Sequence, residues 1–270
     1  MVSIVANDPA AGEPANNAQF TVSMTNPSDS PTVIAYTVIG SATSGTDFSP
    51  LPGTITLPAG ATSGTINLNV INDAIVESNE NVTITLTSIT SGDASISIDP
   101  ANATDSATIT DDDTAEWSIS GTPVVGEGAN AKYTIGLAGT LQAGETATVQ
   151  LTVGNITAIA PDRANFVAAV NTAIANYTGP GTLAFDGTVL TFTSDGNPMG
   201  DLCVDLTAID DALIEGSENY FVSIANPGST TGSDIGTSGP LSVTTTIIDN
   251  DLATWSITGD TTVGEGADAK

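Results

Sequence analysis

The sequence predicts an all-β chain built as tandem antiparallel β-sandwiches of about seven strands each, the second with a short helical insertion. Three observations carry this. Short runs alternate apolar residues with Thr, Ser or Asn between clusters of Gly, Pro, Asn and Asp, the pattern of strands with one buried and one wet face. A set of motifs recurs in fixed order along the chain. Only one stretch has helical spacing.

The repeats set the boundaries. Val124–Ala129 recurs as Thr262–Ala267, with a weaker copy at Ala11–Ala15. Asn72–Glu80 recurs as Asp210–Glu218, Asp111-Asp112-Asp113 as Asp249-Asn250-Asp251, and Trp117-Ser118-Ile119 as Trp255-Ser256-Ile257. The spacing from Glu77 to Asp111 equals that from Glu215 to Asp249, whereas Glu127–Glu215 is longer than Glu13–Glu77. The expected units are therefore residues 1–113, residues 114–251 with an insertion, and residues 252–270 as the first strand of a further repeat. So organised, the chain reads as a piece of something longer.

Strands are expected at Ala18–Thr25, Thr32–Val38, Gly53–Leu57, Gly64–Ile71, Asn81–Ile89 and Thr104–Thr110 in the first unit. The second repeats the plan through Ala131–Leu137, Thr146–Val153, Thr188–Thr193, Leu202–Ile209, Asn219–Ile224 and Leu241–Ile248. In the insertion, residues 162–177, Phe166, Val170 and Ile174 fall four apart with Val167 and Ala173 beside them, which predicts a helix packed on a sheet edge. Asp162 is the expected N-cap and Gly179-Pro180 the stop. Trp117, Trp255 and Cys203 are expected in the core, Cys203 because it lies in the apolar run Leu202-Cys203-Val204.

Composition narrows the chemistry. The 31 acids face 3 basic residues and no His, for a formal charge of −28. Nucleic acid and anionic membranes are disfavoured partners, since almost nothing can meet phosphate. Without His and with one Cys, a Ser-His-Asp or Cys-His machine and a zinc site lack their side chains. An enzyme is not expected. No apolar run is long enough to span a bilayer. Met1 is followed by strand-like Val2-Ser3-Ile4-Val5 rather than a leader, so no signal peptide is expected.

The acids cluster at a few turns instead of spreading along solvated runs. Adjacent carboxylates repel by about 1 kcal/mol in water and several times more near protein, so water or a cation must compensate them. Asp73, Glu77 and Glu80 lie between two strands, and Asp210, Asp211, Glu215 and Glu218 repeat them. Ca²⁺ takes about six to eight oxygens, more than one such loop supplies. A sandwich gathers its loops at its ends, so Glu13, Asp47, the Asp73–Glu80 loop and Asp111–Asp113 could converge there and hold two to four bridged ions.

The order of motifs resembles the Calx-β domain: Val-x-Glu-Gly; Gly45-Thr46-Asp47-Phe48; Gly53–Leu57; Asn72–Glu80; and Thr108–Asp113. The resemblance implies an Ig-like seven-stranded sandwich that binds Ca²⁺ at the end nearest the next domain. The implied ligands of the first repeat are Glu13, Asp47, Asp73, Glu77, Glu80, Asp111, Asp112 and Asp113. Those of the second are Glu127, Asp210, Asp211, Glu215, Glu218, Asp249 and Asp251. The second repeat lacks the Gly-Thr-Asp-Phe turn, having Ala160-Pro161-Asp162 there, and Asn250 replaces the middle acid; Pro14 follows Glu13 where Gly follows Glu127.

Calx-β domains occur in sodium–calcium exchangers as sensors and in tandem in large bacterial surface proteins, and this sequence looks more like the second group. The expected function is a calcium-rigidified extender segment of a long extracellular adhesin, stalk or fibre, with neighbouring repeats of the same chain as partners. In a variant, copies also associate into fibres through their edge strands. The alternative is a Ca²⁺-dependent module that binds a glycan or protein, with the insertion as its site.

Overall fold

The computed structural model describes residues 1–259, 262 and 264–266. Two β-sandwiches follow one another, each with its own hydrophobic core. In the first, a three-stranded sheet (Val2–Asp8, Ala18–Met24, Ser63–Leu68) faces a five-stranded one. The latter runs in the order Ala10–Gly12, Thr104–Thr110, Glu80–Ser91, Thr32–Gly40, Thr54–Leu57. Alternation does the sorting. Phe20, Val22, Ile34, Leu57, Leu68 and Ile84 point inward and are buried, while the Thr and Ser between them face water. Each buried Leu, Ile or Phe adds about 1.5–3 kcal/mol.

The second sandwich keeps this plan. A sheet of Leu202–Thr207, Asn130–Ala138, Ala115–Gly121 and Ile235–Thr237 packs on one of Val124–Gly126, Ser242–Ile248, Glu218–Gly228, Thr146–Asn155, Val189–Thr193 and Thr182–Phe185. In both units the last long strand pairs in parallel with the short strand that precedes the repeated glutamate, Glu13 or Glu127: Ala10–Gly12 with Thr108–Thr110, and Val124–Gly126 with Thr246–Ile248. This parallel pairing brings Glu13 beside the Asp111 turn and Glu127 beside the Asp249 turn.

The strands fall within a few residues of expectation. The strand Thr182–Phe185, which extends the sheet as a hairpin with Val189–Thr193, was not expected. The helix is shorter than its pattern, Phe166–Ala175, and Asn165 caps it by accepting from the Ala168 N–H at 3.0 Å. Asp162 is therefore not the N-cap; it sits one short turn upstream, where it joins an acid cluster instead. Phe166 and Val170 are buried, and the helix lies along Leu202–Thr207, an edge strand of its sheet.

Two core assignments are corrected. Cys203 is exposed, because Leu202, Val204 and Leu206 take the inward positions of their strand and leave Cys203 and Asp205 outward. Trp117 is fully buried, but its counterpart Trp255 is 97% exposed. The difference is pairing. Trp117 lies in a strand held between Asn130–Ala138 and Ile235–Thr237, whereas residues 252–259 form no strand. The remainder of the expected third unit lies largely outside the described residues.

The joint between the sandwiches is short. Only Asp111–Thr114 separate the strands Thr104–Thr110 and Ala115–Gly121. A two-residue strand of the first unit, Ile75–Val76, pairs in parallel with Thr140–Leu141 of the second. Val76 is 1% exposed and packs into the second unit's core.

Candidate metal centre

Among the described residues four groups of carboxylates form, two at the same end of each sandwich, and within each group one oxygen from every member lies within 4.8 Å of the others. In the first unit Glu13 meets Asp111, Asp112 and Asp113, while Asp47 meets Glu77 and Glu80. In the second, Glu127 meets Asp249 and Asp251, and Asp162 meets Glu215 and Glu218.

Local chemistry builds each group. Gly45, at φ +96°, lets the Thr43–Phe48 turn close tightly. The Asp47 N–H donates to the Thr43 carbonyl at 3.0 Å, and the Asp47 carboxylate accepts from the Thr43 N–H. Phe48, 1% exposed, anchors the turn in the core and leaves Asp47 pointing at the acid loop. That loop is tied down in the same way in both units. The Glu77 N–H donates to Asp111 Oδ2 at 2.9 Å, and the Glu215 N–H donates to Asp249 Oδ2 at 2.7 Å.

Asp73, Asp210 and Asp211 stand beside these groups, with one oxygen of each engaged in a local hydrogen bond. Asp73 Oδ1 accepts from the Ile75 N–H and Asp211 Oδ1 from the Leu213 N–H, both at 2.7 Å. Asp210 Oδ1 accepts from the Asn250 side chain at 2.8 Å. Asn250 thus becomes a tether where Asp112 is an acid, and the second unit's outer group holds three carboxylates against four.

Sequence reasoning left Asp162 outside its ligand set. It occupies the place that Asp47 fills in the first unit, but it comes from the start of the insertion, with no Gly-Thr-Asp-Phe turn to mark it.

The electrostatics call for a cation. Among the described residues the one ion pair is Lys132–Asp205 at 3.0 Å, away from every cluster. Burial, then the charges of Asp47, Asp73, Asp111 and Glu13, push Glu77 up to about 7. Burial, a hydrogen bond with Asp47 and the neighbouring charges push Glu80 up to about 8. A hydrogen bond with Asp162, then burial and nearby carboxylates, raise Glu218 to about 7. Burial first and like charges next also raise Glu13, Asp111, Asp113, Glu127, Glu215 and Asp251.

The donor set passes a test of fit. Glu80 is 8% exposed, and its Oε2 is buried without a hydrogen-bond partner. Asp111 Oδ1, Asp113 Oδ2, Glu127 Oε2 and Asp251 Oδ2 are likewise buried and unpartnered. Such orphan acceptors are costly unless something satisfies them. Carboxylate oxygens alone, without His or Cys, suit a hard divalent ion of the Ca²⁺ type.

The Calx-beta domain family matches residues 2–113 and 183–251. The chain belongs to the Calx-beta family. The gap in the match, residues 114–182, spans the start of the second sandwich and the helical insertion. Calx-beta domains are calcium-binding modules, not catalytic ones. Among solved structures, CBD12 from CALX1.2 matches at 14% identity and TM-score 0.35, covering 91% of this chain and 99% of that one. The calcium binding domain CBD12 of CALX1.1 gives 14% and 0.36, covering 90% and 98%. The apo-form Calx CBD1 domain gives 19% and 0.33, covering 42% and 98%. A search of the curated proteins finds no match.

The two Calx-beta units differ in how open their inner groups are. Asp47 and Glu80 are buried, whereas Asp162, Glu215 and Glu218 are all partly exposed. The second unit covers the first unit's acid loop. Gln142 donates its backbone N–H to the Val76 carbonyl at 3.0 Å and its side-chain amide to Glu77 Oε1 at 2.6 Å. Glu145, 7% exposed, accepts from Ser78 Oγ at 2.9 Å and from Ser233 Oγ at 2.6 Å. Burial pushes Glu145 up, but hydrogen bonds from Ser233, Thr231 and Ser78 outweigh it and hold the carboxyl below its usual range. Neither Gln142 nor Glu145 was marked by the sequence.

Proposed function

We propose that this chain is a calcium-rigidified extender segment of a long extracellular protein, an adhesin, stalk or fibre of the bacterial surface type. One observation carries the reading. The segment Ile75–Glu80 is both the source of the Glu77 and Glu80 carboxylates and the holder of the short strand that pairs with the next unit. An ion held by Asp47, Glu77 and Glu80 would fix that segment, and the fixed segment would fix the angle between the sandwiches. Without the ion, the raised carboxyls either carry protons or repel one another, and the seat loosens. Residues 252–259, which repeat the Trp-Ser-Ile start of the second unit, fit an array of such units.

Small-angle scattering and single-molecule extension, in millimolar Ca²⁺ and in EDTA, test this. The expected result is one rigid elongated particle with Ca²⁺ and a flexible pair of sandwiches without it. Equal stiffness in both would overturn the reading.

A second reading, a Ca²⁺-dependent glycan- or protein-binding module, draws on the clefts flanking the helix Phe166–Ala175. The cleft at its N-terminal end is lined by Leu151, Arg163, Phe166 and Gly187, and Phe166 is buried rather than presented as a sugar platform. Calcium-dependent retention on a glycan array would favour it.

A further inference from the structure

We propose that the Leu213–Ile214 stretch at the far end of the second sandwich is a docking seat for a further sandwich unit, one whose inter-sheet connection resembles Thr140–Gln142. This rests on the extender reading and adds to it the partner and the residues that receive it.

The argument begins from the joint already present. In the first unit Ile75 and Val76 pair with Thr140 and Leu141, Val76 is buried, and the side chains of Gln142 and Glu145 lock the flanking Glu77 and Ser78. Leu213 and Ile214 hold the same positions in the second unit, between Asp211 and Glu215. Their backbone is set in the same way, by Asp211 on the Leu213 N–H and by Asp249 on the Glu215 N–H, matching Asp73 on Ile75 and Asp111 on Glu77. The seat is thus formed before anything occupies it, yet Leu213 and Ile214 are 61% and 57% exposed. Two branched apolar residues fixed in the open are what a partner strand would cover.

The occupant follows from chemistry. It needs an apolar residue in the place of Leu141, to meet Ile214, and an amide in the place of Gln142, to reach Glu215. A second copy of this chain would offer the connection between Ala18–Met24 and Thr32–Gly40, which reads Asn26-Pro27-Ser28 where the second unit reads Thr140-Leu141-Gln142. It lacks both the leucine and the glutamine, so stacking of identical copies is a poor fit. The occupant also needs no counterpart of Glu145, because Gly216 replaces Ser78 and supplies no hydroxyl.

The test extends residues 1–251 with a second copy of residues 114–251 and compares it with the 270-residue chain by hydrogen exchange, in Ca²⁺ and in EDTA. In Ca²⁺ the amides of 213–216 should exchange at least tenfold more slowly in the extended chain. Ile214→Asp should abolish that gain and leave exchange at 75–78 unchanged. The proposal is overturned if the appended unit is protected in its own core while 213–216 exchange equally in both chains. It is also overturned if the 270-residue chain dimerises with protection at 213–216, which would make a second copy the occupant. Protection at 213–216 that is the same in EDTA would support docking and sink calcium stiffening. Calcium-dependent protection at 75–78 without any at 213–216 would do the reverse.

Discussion

Gln142 of the second sandwich donates its side-chain amide to Glu77 Oε1 of the first at 2.6 Å, across the joint and onto a carboxylate of the inner acid group. That bond orients Glu77 from outside its own unit. Gln142→Ala should lose about 1 kcal/mol of that orientation, or roughly fivefold in the affinity of one Ca²⁺ site. Calorimetric titration should show one class of sites weakened and the others unchanged. Weakening of every class would mean that Gln142 supports the fold and not the site.

The two tryptophans of the repeated Trp-Ser-Ile motif are a matched pair with opposite surroundings. Trp117 is fully buried and Trp255 is 97% exposed. Trp117→Ala should destabilise by about 3–5 kcal/mol. Trp255→Ala should stay within about 0.5 kcal/mol. Urea unfolding of the two variants checks both, and comparable losses would show that Trp255 is packed in solution.

The sandwiches were legible because alternation and turn residues act locally, and the repeat doubled the signal. The outer groups were legible for the same reason, since Glu13 with Asp111–Asp113 and Glu127 with Asp249 and Asp251 recur at matching places. Asp162 was obscured because the insertion replaced the turn that would have marked it. The shortness of the joint was legible, but the contacts across it left no trace: Ile75–Val76 and Thr140–Leu141 are too short to show a period, and Gln142 and Glu145 correspond to Ser28 and Pro31 in the first unit. Cys203 failed differently. An apolar run does not reveal its phase, and here the inward positions fell to its neighbours.

Stability without calcium should fall as pH rises. Glu77 and Glu218 are raised to about 7 and Glu80 to about 8 in the folded chain, whereas unfolded glutamate titrates at about 4.3. Between these values the native state holds more protons than the unfolded one, so each step up in pH favours unfolding. Calcium needs the carboxylates deprotonated, so its stabilisation should grow over the same window. Melting curves in EDTA at pH 5, 6, 7 and 8 should descend steadily, and those in Ca²⁺ should not. A flat EDTA series would mean the clusters relax and take up water.

Glu80→Gln separates the two roles of a buried acid of the inner group. Glu80 is 8% exposed, lies beside Asp47 and Glu77, and has one oxygen without a partner. Glutamine keeps the volume, removes a charge and adds a donor that can reach Asp47. In EDTA the variant should therefore melt higher than the parent. In Ca²⁺ it should gain less, because a site saturated a hundredfold above its dissociation constant adds about 2.7 kcal/mol and one such site loses a charged ligand. The two effects have opposite signs, so a general change in stability cannot mimic them. Glu218→Gln in the second unit should shift both quantities in the same directions but less, since Asp162, Glu215 and Glu218 are all partly exposed. A Glu80→Gln chain that melts lower in EDTA would show that the carboxylate is a structural acceptor, and the inner group would no longer qualify as a metal centre.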